Sequence, residues 1–300
     1  MSKLCPVCGN TNYKKIGLPK ANNISKNFLD KEYYVVQCLN CEAYFVSPEI
    51  NFSEEQWAKL YNSEYFVRQS DWLERRRKKE LANRFNHFEN LINKKNISFL
   101  DVGTGEGKAI IEAKKRKWKI TAIDIVDNRN SDAKNTNINF IKGNFIDIDL
   151  TPKSFDFIYL DSVIEHVLNP LEYLKKAAEL LTDDGVVYIG VPNEDSLFND
   201  VRKLIFCLTK QQHISEKIKP FYSPYHIIGY NFNSLKTIIN NSGLEIKTLR
   251  NFGRKFEFLG NKPFSKDFWI SFLFLFPIEF IGLLIKRDVY LEAYVKKQKK

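Results

Sequence analysis

From residue 97 onward, short apolar runs alternate with stretches of helical periodicity: 97–102, 120–125, 138–142, 155–160 and 186–191 are each a strand-length block rich in Ile, Val and Phe. Such runs are too continuous for a strand with one wet face. They predict a parallel sheet covered by helices on both sides. The rhythm lapses between Asn193 and Tyr230 and then resumes with a helix starting near Asn233 and ending before Gly243, followed by a strand over 244–250. An apolar stretch over 268–285 and a last strand over 288–295 close the pattern. Ahead of residue 97 the texture differs, being turn-rich to about residue 50 and then helical, with a charged centre at Glu74-Arg75-Arg76-Arg77. The chain thus reads as a small module over 1–50, a helical connector over 51–96 and an α/β domain over 97–300. The α/β domain carries a long loop over 193–231 and an apolar helical insertion over 268–285.

The first module is marked by Cys5-Pro6-Val7-Cys8 and Cys38-Leu39-Asn40-Cys41. A C-x-x-C turn aims two sulfurs at one point while nearby amides offset their charge, so two such turns form a closed four-thiolate set. Cys5, Cys8, Cys38 and Cys41 therefore read as ligands of a structural zinc, with a four-thiolate iron site as the alternative. The residues between the pairs leave room for a hairpin, with 33–37 as one strand. Cys207 has no such companion.

The stretch Asp101-Val102-Gly103-Thr104-Gly105-Glu106-Gly107 places a glycine-rich turn between a predicted strand and a predicted helix. Glycines there let the backbone turn tightly and approach a ligand closely. The spacing is G-x-G-x-G, not the G-x-G-x-x-G of a dinucleotide site, and acids flank it. Carboxylates beside the turn would repel a pyrophosphate. They suit a cofactor with an ammonium group and a cationic sulfur, the charge pattern of S-adenosylmethionine. Asp124 closes the next strand, where an acid can accept from ribose hydroxyls. Asn144 follows the third strand at a position suited to adenine.

With these residues in place, 97–192 resembles the class I methyltransferases, in particular the group whose fourth strand leads into an E-H-V motif, here Glu165-His166-Val167. The likeness continues through Asn169-Pro170-Leu171 and Asp184-Gly185-Val186. It implies a Rossmann-like, mostly parallel sheet with an antiparallel last strand. It also implies that Asp101, Gly103 and Gly105 meet the methionine end of the cofactor, Asp124 the ribose, and Asn144 with Phe145 the adenine edge. Members of the family usually carry aspartate where Asn144 stands, which changes the donor and acceptor pattern there.

In an open parallel sheet the reacting groups lie beyond the carboxyl ends of the strands, which brings forward Asp161, Glu165, His166 and Asn193. His166 is a candidate acid/base residue, since imidazole is readily poised near neutral pH. His226, in the long loop, is a second. The loop also carries Phe221-Tyr222-Ser223-Pro224-Tyr225, aromatic faces suited to a sugar or ring. The expected acceptor is accordingly a hydroxyl of a small molecule, sugar or glycan. An RNA methyltransferase is the alternative, because cysteine modules also precede this fold in some of those enzymes.

Charge bears on that alternative. Forty-six Lys+Arg against 36 Asp+Glu give a net charge of +10, which would suit RNA or an anionic membrane. However, the basic runs are scattered, and the knuckles lack the interleaved cations and aromatics of an RNA clamp. The hydrophobic fraction of 44% excludes gross disorder. Met1-Ser2-Lys3-Leu4 leaves no room for a secretory leader before Cys5, so the expected location is cytoplasmic, or peripheral to the inner face of a membrane. The apolar stretch 268–285 is long enough for a span. Pro277 and Gly282 interrupt it, and strands of one sheet lie on either side. The expectation is therefore two short helices on the sheet edge that do not cross a membrane, with an aromatic excess left exposed for a membrane surface or another subunit.

Overall fold

The computed structural model describes residues 4–60, 71–92, 94–208, 214–215, 217–253 and 257–298. In chain order these form β1 (Tyr13–Gly17), α1 (Asn23–Lys26), β2 (Tyr34–Cys38), β3 (Tyr44–Ser47), α2 (Glu54–Leu60), α3 (Asp71–Leu91), β4 (Ser98–Val102), α4 (Lys108–Lys115), β5 (Lys119–Asp124), α5 (Ser131–Lys134), β6 (Asn139–Lys142), β7 (Phe155–Asp161), α6 (Pro170–Leu180), β8 (Leu181–Pro192), α7 (Leu197–Leu208), β9 (Ile228–Gly229), α8 (Phe232–Asn241), β10 (Leu244–Phe252), α9 (Lys266–Ile270), α10 (Phe276–Leu284) and β11 (Tyr290–Lys297). The side chain of Cys207 lies outside the described residues.

Seven strands form the main sheet in the order β10-β11-β8-β7-β4-β5-β6. Strands β4 to β8 run parallel, whereas β11 enters antiparallel between β8 and β10. This is the expected Rossmann-like methyltransferase arrangement, antiparallel last strand included. Chain order reverses between β4 and β7, so the crevice beyond their carboxyl ends is where a ligand fits.

Alternation along the strands divides the core. Leu100, Val102, Ile158, Leu160, Val187 and Ile189 face α6 and α8 through Leu174, Ala177, Leu235 and Ile238. Phe99, Phe157, Tyr159 and Tyr188 face the other way, against Phe85 and Phe88 of α3, Ile110 of α4 and Trp118. Phe88 stacks on Phe157 with 3.9 Å between ring centroids, and each such buried ring is worth about 1.5–3 kcal/mol of transfer free energy. The helix of the predicted connector is thus packed on the sheet.

A smaller sheet runs β1-β2-β3-β9, antiparallel throughout. Three of its strands come from the first 50 residues. The fourth belongs to the loop after β8, so the cysteine module and the catalytic-side loop share one sheet.

The apolar insertion corrects the expectation of two separate helices. Lys266–Ile270, a π-helical turn over Ser271–Leu275, and Phe276–Leu284 form one helical run. The wider turn shifts the hydrogen-bond ladder just before Pro277, which has no N–H to donate, so the run continues through the proline. Lys266–Leu284 has a mean hydropathy of 1.8 and is long and apolar enough to cross a membrane. Yet β10 and β11, which flank it, pair with each other from Leu244↔Lys297 to Phe252↔Tyr290. A single crossing would put these partners on opposite sides of the bilayer. The run packs on α7 through α10 and leaves Trp269, Phe274, Phe280 and Leu284 exposed, the aromatic excess expected from its composition.

Candidate active site

A cleft of about 830 Å³ opens beyond the carboxyl ends of β4, β5 and β7. The glycine turn forms its floor. Gly103, Gly105 and Gly107 all have positive φ, and a Cβ on Gly103 would come within 2.7 Å of Val163 Cγ2, so both conformation and space demand glycine at 103. The turn is tied to the neighbouring strand: the Gly103 amide donates to the Ile123 carbonyl at 2.9 Å and the Gly105 amide to Asp124 Oδ2 at 2.8 Å. Asp124 Oδ1 accepts from the Val126 amide at 3.2 Å. Held by two amides, this carboxylate faces the cleft with further acceptor capacity. Burial raises its pKa.

Asp101 lies deeper, 3% exposed, and its Oδ2 has no hydrogen-bond partner among the described residues. Burial, followed by the charges of Asp124 and Asp161, pushes its carboxyl up to about 8. A buried, unsatisfied carboxyl in a cleft is costly in the empty protein and fits a cationic ligand group. Asp161 also lines the cleft. It is gripped by Arg84 Nη1 at 2.7 Å and by the Tyr159 hydroxyl at 3.0 Å, with the Tyr290 hydroxyl 3.3 Å from its other oxygen.

Phe145 and Tyr173 close the side beyond β6, rings 5.4 Å apart. Asn144 is not brought into this lining. Its amide donates to Asp147 Oδ2 at 2.7 Å and accepts from the Tyr173 hydroxyl at 2.5 Å, so it orients the tyrosine that forms the wall.

At the opposite end His166 and His226 face each other, ring centroids 4.8 Å apart, both lining the cleft. Burial keeps both imidazoles neutral, bringing His166 to about 4 and His226 well below its usual range. Their meeting is a main-chain effect. The amides of Ile227 and Ile228 donate to the Glu165 carbonyl at 2.9 and 3.1 Å, and the Tyr230 hydroxyl donates to the Ile164 carbonyl.

The aromatic run in the loop corrects a second expectation. Of Phe221 to His226, only Pro224 and His226 line the cleft. Phe221 is buried against Tyr33 and Phe52, its carbonyl accepts from Ser25, and the Tyr225 hydroxyl accepts from Asn22 Nδ2 at 2.8 Å. These side chains fasten the loop to the N-terminal module.

Sequence reasoning missed the wall built by α3. Leu73, Arg76, Arg77, Glu80 and Arg84 line the cleft, and Lys108 ties α3 to the glycine turn through Glu74 and Glu106, each at 2.8 Å. Arg84 could have been flagged by its place four residues before the apolar Phe88, on the same face of a 3.6-residue period.

A family model described as a methyltransferase domain matches residues 72–249. The chain belongs to that family. This methyltransferase also resembles solved structures in fold. A SAM-dependent methyltransferase from Archaeoglobus fulgidus is 17% identical with a TM-score of 0.51, covering 73% of this chain and 94% of its own. The plantazolicin methyltransferase BamL, solved with a triazolic desmethylPZN analog and SAH, is 19% identical with a TM-score of 0.52, covering 82% and 91%. No curated protein matches the chain in sequence. The protein is a class I, SAM-dependent methyltransferase.

The methyltransferase carries its four cysteine sulfurs in one cluster, all within 4.8 Å of one another. Cys5 and Cys41 Sγ are 3.6 Å apart, as are Cys8 and Cys38 Sγ. Four thiolates around a zinc with bonds of about 2.3 Å would stand roughly 3.8 Å apart. The two knuckles share one backbone design. Gly9 donates to the Cys5 carbonyl at 2.8 Å and Glu42 to the Cys38 carbonyl at 3.1 Å, each with positive φ directly after the second cysteine.

Proposed function

We propose that this enzyme moves the methyl group of S-adenosylmethionine to a hydroxyl of a small molecule, sugar or glycan. The observation that carries the reading is the cleft itself, with an unsatisfied buried carboxyl and an amide-held carboxylate at one end and two neutral imidazoles at the other. Asp101, with Gly103 and Gly105, would take the methionine end; Asp124 the ribose; Phe145 the adenine edge; Asp161, fixed by Arg84, would complete the polar wall. The acceptor oxygen attacks the methyl carbon, the C–S bond breaks with its electron pair going to sulfur, and the hydroxyl proton departs with help from His166 and His226. Incubating the enzyme and labelled S-adenosylmethionine with nucleotide sugars, glycans and bulk RNA tests the acceptor. Label on RNA alone would overturn the hydroxyl small-molecule or glycan reading. In His166→Ala and His226→Ala turnover should fall at least tenfold with cofactor affinity nearly unchanged, and near-normal turnover in both would remove the histidines from the mechanism.

Asp101 gives the cofactor reading a pH signature. Empty, its carboxyl titrates at about 8; beside the ammonium of the cofactor it is ionised, so its pKa falls on binding and a proton is released near neutrality. Affinity should therefore rise from pH 6 to pH 8. Calorimetry in buffers of different ionisation enthalpy should show the proton released at pH 7, and Asp101→Asn should abolish both effects. A release that persists in Asp101→Asn would rule this out. Asp124→Ala should weaken binding by about 1–3 kcal/mol.

The four cysteines fit zinc. The exposed helical run, flanked by the exposed Lys262, Lys266 and Lys286, fits an anionic membrane surface, the enzyme working from the cytoplasmic side. Vesicles containing about one third anionic phospholipid should then sediment the enzyme, and Phe274→Glu with Leu284→Glu should release it. Equal sedimentation of wild type and variant, or none, would refute the docking.

A further inference from the structure

We propose that Glu165, His166 and His226 hold a divalent cation of the manganese-to-zinc series at the acceptor end of the cleft, with the acceptor's hydroxyl as a further ligand. The second half of this proposal rests on the hydroxyl reading above; the first half does not.

Three donor atoms, one from each residue, lie within 4.8 Å of one another. Glu165 is 1% exposed; its own amide and the Ser162 hydroxyl lie near its carboxylate, but neither oxygen gains a hydrogen bond of good geometry among the described residues. A buried carboxylate served by no more than this is costly unless a cation compensates it. His166 does not satisfy it either, since its Nε2 stands 3.9 Å from Glu165 Oε1, too far for a hydrogen bond. That gap suits two ligands of one ion, whose donors sit about 3–4 Å apart when each bond is about 2.1 Å.

The surroundings resemble a support shell. His166 also meets the main chain of Tyr225, as a metal-bound imidazole commonly uses its second nitrogen on a carbonyl, fixing ring and tautomer. The Ile227 and Ile228 amides on the Glu165 carbonyl hold the two ligand-bearing segments in register. Lys219, felt by His226, is the cation that would compete for this corner, and Asp161 and Glu194 are the nearby acids.

Two imidazoles and a carboxylate favour manganese, iron, cobalt or zinc over magnesium, which prefers oxygen alone. Three protein ligands also leave positions open, unlike the closed thiolate cluster. A hydroxyl bound there is acidified by the cation and loses its proton to solvent more easily. Its oxygen then attacks the methyl carbon as the C–S bond breaks. The histidines would thus act by holding the ion, not by taking the proton themselves.

The test uses the full chain with its thiolate site loaded with zinc, without cofactor or acceptor. Titration with manganese, followed by loss of the free-ion magnetic resonance signal, should show one bound ion per chain. Glu165→Gln and His226→Ala should each weaken it at least tenfold, while S-adenosylmethionine affinity, measured by calorimetry, stays within about twofold as a check on folding. Co²⁺ and Zn²⁺ should bind to the same stoichiometry. No binding of any of the three ions, or equal binding in both variants, overturns the site. If manganese binds and no hydroxyl is methylated, the acceptor reading alone fails. Full turnover on a hydroxyl by a chain that binds none of these ions removes the cation alone.

Discussion

Cys41→Ser should release the metal from the thiolate cluster and leave the N-terminal module unfolded in an otherwise folded sheet. The whole binding energy of a structural four-thiolate site is folding energy, on the order of 10 kcal/mol for small zinc modules. Elemental analysis should fall from one tightly held zinc per chain to none. Near-ultraviolet dichroism should lose the signal of Tyr33 and Phe221, which pack 4.9 Å apart. Turnover should drop as well, because β9 follows His226 by one residue and pairs with β3 through Phe45↔Ile228. A chain containing neither zinc nor iron but fully active would refute the structural role of the cluster.

Arg84→Met is expected to destabilise the protein by about 3–5 kcal/mol. Arg84 holds Asp161 at 2.7 Å and Glu292 at 3.3 Å and lies over the rings of Tyr188 and Phe252. Glu292 is 1% exposed, and Arg250, its other partner at 2.5 Å, sits nearer the surface. Removing the guanidinium leaves Asp161 with hydroxyl donors alone and Glu292 with Arg250 and the Tyr188 hydroxyl, a larger penalty than the pair itself is worth. Two consequences separate this from simple loss of packing. Arg84→Lys should recover little, since one ammonium cannot serve two carboxylates and two rings. Adding Glu292→Leu to Arg84→Met should restore part of the loss. An unchanged urea midpoint in Arg84→Met would contradict the account.

The sheet was legible because its signal is local. Blocks such as Phe155-Asp156-Phe157-Ile158-Tyr159-Leu160 carry their own periodicity, and the observed β7 spans Phe155–Asp161. The glycine turn and Asp124 were legible for the same reason, lying at the ends of adjacent strands in both sequence and space. What stayed hidden depends on distant partners. The charged run around Arg76 read only as the charged centre of a connector, yet the same helix buries Arg84 between β7 and β11. The aromatics Phe221 and Tyr225 looked like a ligand platform because nothing in the sequence shows that Ser25 and Asn22 reach them. Glu165 was visible as part of a motif, but its near-complete burial beside two imidazoles is a property only of the folded chain.

The small sheet has a consequence for how copies of this enzyme assemble. The first 50 residues carry all four thiolates and can gather their metal early in synthesis, whereas β9 is made only after β4 to β8. Until then the outer edge of β3 is open, with Tyr44 and Phe45 unpaired, and an open edge accepts any matching strand. In a crowded solution of half-folded chains the matching strand can belong to a neighbour. His226 of one copy would then face Glu165 and His166 of its own chain or of the other, depending on which strand arrived first. Refolding at high concentration should therefore yield exchanged dimers with intact clefts, a route to oligomers that needs no dedicated subunit interface.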